Sequence, residues 1–198
     1  EAELIKLFSN AYRYINFSIS NQFYLICKMH GLDFFKVRNF MKDNYKRNAD
    51  IPLAGFTAGP CLLKDTMQLS AFYNHQFPLF HAAMSINESM PQYIVKKLND
   101  EYNLKKKIVG VLGLSFKAEN DDIRDSLSIK LLKNLKSKKI KTLQSDEYYK
   151  DEKNVDKNEL IKKSDIIIIA TPHKAYKNIK ISKNKILVDI WGITQKYL

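Results

Sequence analysis

Several things are scarce in this sequence, and each scarcity excludes something. Only two cysteines are present, Cys27 and Cys61, in different segments and without paired spacing. That excludes a disulfide framework and a zinc-ligand pattern, and it makes a reducing, cytoplasmic setting the expectation, with no metal. The longest apolar run, Ile166 to Ala170, is far short of the ~20 residues that span a bilayer, so no membrane partner is expected. No basic-then-apolar leader opens the chain. It starts inside a helical pattern at Glu1, which reads as a cut. Arginine is rare too: Arg13, Arg38, Arg47 and Arg124 are the only four, although the formal net charge is +12. Such a charge favours an anionic partner, but nucleic-acid faces lean on arginine forks, and these lysines travel with Asn and Ile throughout. A nucleic-acid partner is therefore not expected.

What is present is the pattern of a globular protein, 198 residues long with 45% hydrophobic and 27% charged residues. Helical spacing predicts a first helix over Glu3 to His30, apolar on more than one face and so buried against several neighbours or a second subunit. Lys6, Asn10 and Arg13 form a polar stripe on it. Gly31 is expected to stop this helix, with His30 as a helix-end residue. Asp33 is expected to cap a second helix that fades by Asp43. Asn44 to Gly59 has no lasting period and reads as a long loop, which points to function. A third helix is expected from about Lys64 to Asn74. Helical spacing resumes over Leu79 to Asn103, with Pro91 kinking it or opening a new helix and His81 packed within it. Near residue 104 the pattern changes. Strands near 108–114, 140–144, 165–170 and 186–191 alternate with helices near 122–138 and 158–163, which implies a parallel sheet covered on both faces. The lysine runs at 105–107 and 136–141 read as solvated surface. Gly110-Val-Leu-Gly113 is not a dinucleotide fingerprint, because Gly-x-Gly-x-x-Gly is absent. The following loop, with Lys117 and Arg124, still sits where phosphates dock in such sheets and suits a diphosphate.

Chemistry concentrates in Gly55-Phe-Thr-Ala-Gly-Pro-Cys-Leu-Leu-Lys-Asp65. Glycines let the backbone run close to a ligand, and a thiol at a helix start beside an ammonium group is in surroundings that favour a nucleophile. The plainer reading is a buried cysteine in a Gly-Pro turn. Gly59-Pro-Cys-Leu-Leu-Lys-Asp65 resembles the catalytic-cysteine motif of the UDP-glucose/GDP-mannose dehydrogenase family. Glu1 to Asn10 resembles the start of that family's central helix, and Gly113 to Ser126 resembles the start of its nucleotide-sugar-binding domain.

The resemblance implies an all-helical central dimerisation region over 1–104 and a Rossmann-like parallel-sheet domain for the UDP-sugar over 105–198. The family's N-terminal NAD-binding domain is missing from this sequence. It further implies four-electron oxidation of a nucleotide-sugar C6 hydroxyl to a carboxylate with NAD as cofactor, the chain as given not being competent alone. Cys61, Lys6, Asn10 and Asp65 would be catalytic, with Lys6 and Cys61 sharing a cleft. Lys64 and Arg124 would face the cofactor. Phe116, Lys117 and the loop from Pro52 through Leu53, Ala54, Gly55 and Phe56 to Ala58 would hold the nucleotide sugar, and Arg47 would reach a partner subunit's substrate in a homodimer. The alternative is a non-catalytic module for nucleotide-sugar binding or dimerisation. Two departures bear on the substrate: Ala58 stands where many relatives have a second glycine, and Trp191-Gly192 where some have an arginine.

Overall fold

The computed structural model describes residues 1–43, 45–57 and 59–194, so Ala58 lies outside the described residues. Its first half is helical: α1 (Ala2–Met29), α2 (Phe34–Lys42), α3 (Pro60–Phe72) and α4 (Pro78–Tyr102). The second half interleaves β1 (Ile108–Leu112), α5 (Leu127–Ser137), β2 (Lys141–Ser145), α6 (Lys157–Lys163), β3 (Ile166–Ile169) and β4 (Ile186–Asp189). All strand pairs are parallel, in the order β2-β1-β3-β4.

Local chemistry sets the helix ends. The Phe35 N–H donates to the Asp33 carboxylate at 2.9 Å and opens α2, and the Ser126 hydroxyl and Asp156 carboxylate do the same for α5 and α6. α1 ends at Met29, followed by Gly31 with φ of 68°, a left-handed conformation that suits a glycine stop. α3 begins at Pro60, earlier than the apolar spacing indicates, because proline supplies the φ of a first helical position. α4 neither breaks nor restarts: it runs on through Pro91, which is buried in its interior. α5 starts only at Leu127, since Arg124 is clasped by Asp122 and Asp125 takes a φ of 52°.

One apolar core runs through both halves. It joins Tyr24, Phe34 and Phe35 of α1 and α2, Met90, Ile94 and Leu98 of α4, Leu131 and Leu135 of α5, and Val109, Val111, Ile166 and Ile168 of the sheet. The opposite sheet face is covered by Leu160 of α6 and by Tyr176. The alternating strand residues thus serve two cores, as a doubly covered sheet requires. His81 is not packed in a core. It is exposed, and its Nε2 lies 2.8 Å from His75 Nδ1 and 3.0 Å from Ser70 Oγ, because a two-histidine turn closes the α3–α4 hairpin.

Candidate active site

Helices α1 and α3 pack side by side, and one contact fixes their register: Asn10 Nδ2 donates to Asp65 Oδ2 at 2.6 Å, across 55 residues of chain. Asp65 is buried in α3 one turn after Cys61, while Cys61 itself is exposed in the helix's first turn. The plain reading of Cys61 as a buried turn residue is thereby ruled out. Cys61 and Asn10 line a cavity of about 430 Å³ together with Arg13, Phe17, Phe56 and Thr57 from the helical half. The α/β half contributes Phe116, Lys117, Pro172 and Trp191 to the same cavity.

Phe56, Thr57 and Gly59 line the cavity, and the segment from Pro52 to Gly55 that leads to them is held by residues the sequence does not single out. The Asn21 amide donates to Asn87 Oδ1 at 2.9 Å and accepts the Gly55 N–H at 2.9 Å. Ser20 Oγ and Arg38 Nε donate to the Pro52 carbonyl, and Arg38 Nη2 donates to that of Ile51. The backbone is thus fixed before any ligand arrives. Two glycines are required by what packs against them. A Cβ on Gly55 would lie 2.5 Å from the Trp191 ring, and one on Gly59 (φ of 111°) would lie 2.5 Å from the Phe116 ring. Trp191 is itself pinned by its Nε1 donating to the Ala170 carbonyl at 2.9 Å. The Thr57 hydroxyl is buried in the cavity wall without a hydrogen-bond partner among the described residues, and such a group calls for water or a ligand.

A second network holds the loop that carries Phe116 and Lys117. The Leu114 N–H donates to Asp146 Oδ2, and the Tyr148 and Tyr149 N–H groups donate to Oδ1. His173, fully buried, accepts the Glu119 N–H at Nδ1 (3.0 Å) and turns Nε2 to Asp146 Oδ2 at 3.2 Å. With Nδ1 accepting, the ring proton sits on Nε2, and the imidazole ties the far end of the loop to the carboxylate at its near end. Burial pushes the Asp146 carboxyl up, but the hydrogen bonds from His173 and the backbone outweigh it and hold it at about 2. Lys117 Nζ lies 5.6 Å from the Phe116 ring centroid, so the cation crosses the aromatic face at the cavity wall.

The other residues singled out from the sequence fall as follows. Lys6 is exposed on α1 and is not in the cavity wall, but it lies four residues before Asn10, on the same helix face. Lys64 and Arg124 are exposed. Asp122 grips Arg124 through Nε and Nη2, and this bond raises the guanidinium pKa, as does Cys61, which lies within electrostatic reach. Pro52, Leu53, Ala54 and Gly55 do not line the cavity, and of the run from Pro52 to Phe56 only Phe56 is in its wall. Arg47 is exposed in a short 3₁₀ turn (Lys46–Asn48) and the structure does not bring it to the cavity. Spacing on α1 is the signal that would have found Arg13, one turn beyond Asn10. Nothing in the local sequence marks Asn21 or Asn87 as neighbours of the site, while Trp191, singled out through the resemblance as a departure from an arginine, does line the cavity.

The β1 glycines do not form a dinucleotide cradle. A Cβ on Gly110 would meet Leu160 and Ser164, and one on Gly113 would meet the Thr171 backbone, so both close approaches are used by packing.

A helical half presenting an exposed thiol to a parallel α/β half, with aromatic rings and cations lining the cavity at the seam, is an arrangement of the enzyme-cleft type. The family model for the UDP-glucose/GDP-mannose dehydrogenase central domain matches residues 1–89, and that for the family's UDP binding domain matches residues 110–196. The chain belongs to this family. It is 27% identical over 199 residues to a UDP-N-acetyl-D-mannosamine dehydrogenase of Pyrococcus horikoshii, covering 95% of this chain and 47% of that protein. It is 33% identical over 139 residues to a UDP-glucose 6-dehydrogenase of Haloferax volcanii, covering 68% of this chain and 32% of that protein. A solved UDP-glucose dehydrogenase structure from Pyrobaculum islandicum superposes with a TM-score of 0.82 at 27% identity, over 96% of this chain and 48% of that one. The chain spans about half the length of the curated relatives it matches.

Proposed function

We propose that this chain is the substrate-holding and thiol-bearing part of an NAD-dependent nucleotide-sugar 6-dehydrogenase acting on a UDP-hexose. The division into a helical region over 1–104 and a UDP-sugar-binding domain over 105–198 belongs to the same reading. The observation that carries it is the Asn10–Asp65 hydrogen bond beside Cys61, in a cavity whose other wall is the Phe116–Lys117 loop.

The sheet half would receive the diphosphate at the C-terminal end of β1, where Lys117 supplies charge, while the sugar lies against the Gly55–Gly59 segment. Asn10, held by Asp65, would fix a water at the C6 hydroxyl, and Lys6 on the neighbouring turn would stabilise the alkoxide. Cys61 Sγ adds to the C6 carbon of the aldehyde to form a thiohemiacetal, so the aldehyde stays bound. After the second oxidation a thioester remains. Water, deprotonated by Asp65 with Lys6 beside it, adds to the thioester carbon, and the C–S bond breaks to release the carboxylate and the thiol. NAD would supply the hydride acceptor for both oxidations. Lys64 and Arg124, the exposed cations flanking Cys61, are the residues here that would meet it. With the β1 glycines packed shut, the turn after β1 is not its main seat.

Dimerisation is part of the proposal. Ile5, Phe8, Tyr12, Ile19, Ile26 and Met29 are exposed on α1 at heptad spacing, an unpartnered seam suited to a second copy. Arg47, which does not line its own cavity, would then serve the partner's.

Titration calorimetry of the chain with UDP and UDP-hexoses tests the reading. Saturable heat with one site per chain is expected, and a folded sample giving none with either ligand would sink it.

A further inference from the structure

We propose that His75 and His81 form a two-imidazole chelate for a divalent transition-metal ion of the nickel or copper type, at the hairpin between α3 and α4. Neither histidine lines the Cys61 cavity, and the proposal does not depend on the dehydrogenase reading.

His75 Nδ1 and His81 Nε2 face each other at 2.8 Å, and Ser70 Oγ lies 3.1 Å from the first and 3.0 Å from the second. The three donor atoms sit at the corners of a nearly equilateral triangle. Both imidazoles are exposed, so an ion can reach them from solvent, while Ser70 is buried in the last turn of α3. The backbone brings the rings together. Asn74 and His75 take φ of 49° and 59°, in the left-handed region that side chains disfavour. The His75 N–H donates to the Ser70 carbonyl at 2.9 Å, which turns this residue back toward α3 and the first turn of α4. Two strained residues that make two ligands converge have the form of a clamp. Without an ion, the neutral rings share one N–H···N bond. When that proton moves to the outer nitrogen of its own ring, both facing nitrogens become ligands. Two nitrogen–metal bonds then form, the hydrogen bond is lost, and no electron is transferred.

The spacing selects the ion. Metal–imidazole bonds of about 2.0–2.1 Å to nitrogens 2.8 Å apart subtend about 85–90° at the metal. That is the cis angle of octahedral and square-planar centres, and a tetrahedral ion such as zinc needs its nitrogens about 3.3 Å apart. Imidazoles at right angles suit Ni²⁺ or Cu²⁺. Among the described residues no group of three or more His, Cys, Asp or Glu side chains could hold a metal. The chelate is therefore bidentate, with Ser70 Oγ as a weak third donor and water in the other positions. Glu88 is the one charged side chain lining the surrounding groove among the described residues, so no cation in that wall opposes the ion. Once bound, it would brace α3, which carries Cys61 and Asp65, against α4.

The test titrates the tag-free 198-residue chain with NiCl₂, CuCl₂ and ZnCl₂ by calorimetry and follows thermal melts. One Ni²⁺ per chain is expected, with a rise in Tm and with Ni²⁺ bound more tightly than Zn²⁺. His75→Gln and His81→Gln should each weaken Ni²⁺ binding by at least about tenfold. Cys61→Ser and His30→Gln should leave it within about twofold. Circular dichroism reports whether each variant is folded. On wild type alone, the electron spin resonance of the Cu²⁺-loaded chain should show coupling to two imidazole nitrogens. Binding that survives both histidine substitutions, or is lost in Cys61→Ser, puts the ion elsewhere and overturns the proposal. A preference for zinc over nickel, fewer than two nitrogens in the copper spectrum, or no saturable Ni²⁺ binding would overturn it as well.

Discussion

The Asp146 carboxylate anchors the Phe116–Lys117 loop through backbone N–H groups and His173, and its pKa is held at about 2. The sign of the resulting pH dependence follows from linkage. An aspartate at its ordinary value of about 3.9 when unfolded, and lower when folded, adds stability that is complete above that value. This contribution is lost as pH falls toward about 2. Urea midpoints should therefore decline between about pH 4 and pH 2. In Asp146→Asn they should start lower at neutral pH and decline less over that range. A variant with the wild-type slope would show that another carboxylate is responsible. Cys61 is the residue most legible in the sequence, because glycine, proline and a following Lys-Asp mark a helix start. Thr57 was not, since nothing local reveals which side chain of a folded cavity has no partner among the described residues.

At the scale of elements, the loop beside the cavity is held by hydrogen bonds from two helices, α1 and α2, with two glycines against aromatic rings. Gly59→Ala would place a methyl group 2.5 Å from the Phe116 ring at a φ of 111°. A cost of about 1–3 kcal/mol is expected from the strained backbone, before any displacement of the ring. Chemical denaturation should register this, and UDP affinity should fall as well if Phe116 holds the nucleotide. Asn21→Ala should loosen the same loop, leaving the Gly55 N–H without its acceptor and Asn87 without its donor, at about 1–3 kcal/mol. Hydrogen exchange at Gly55 is the direct readout, and unchanged protection there would count against this role. The helices and strands could be read from apolar period, and the caps at Gly31 and Asp33 from residue type. The late start of α5 could not, because it depends on Arg124 turning back to Asp122. The Asn21–Asn87 pair was equally hidden, since its partners lie 66 residues apart.

For the whole molecule, the exposed seam of α1 carries the clearest expectation. Tyr12→Glu with Ile19→Glu should convert a dimer to a monomer in sedimentation while leaving the circular dichroism of the monomer intact, since both side chains are exposed. A wild-type chain already monomeric at high concentration would exclude α1 as the interface. The break near residue 104 was legible as a switch from helical period to apolar strands, but the sequence does not reveal that both sides share one core.

That shared interior has a mechanical consequence. With Tyr24 and Phe35 packed in one continuous apolar mass with Val111, Ile168 and Ile190, the two banks of the cleft are welded at the base. They cannot gape to admit a ligand without tearing hydrocarbon contacts into water. A guest must therefore thread in through the open mouth, shedding its hydration as it goes. Its rate of departure should follow how firmly the rims grip it, with no swing of these two banks against each other to wait for.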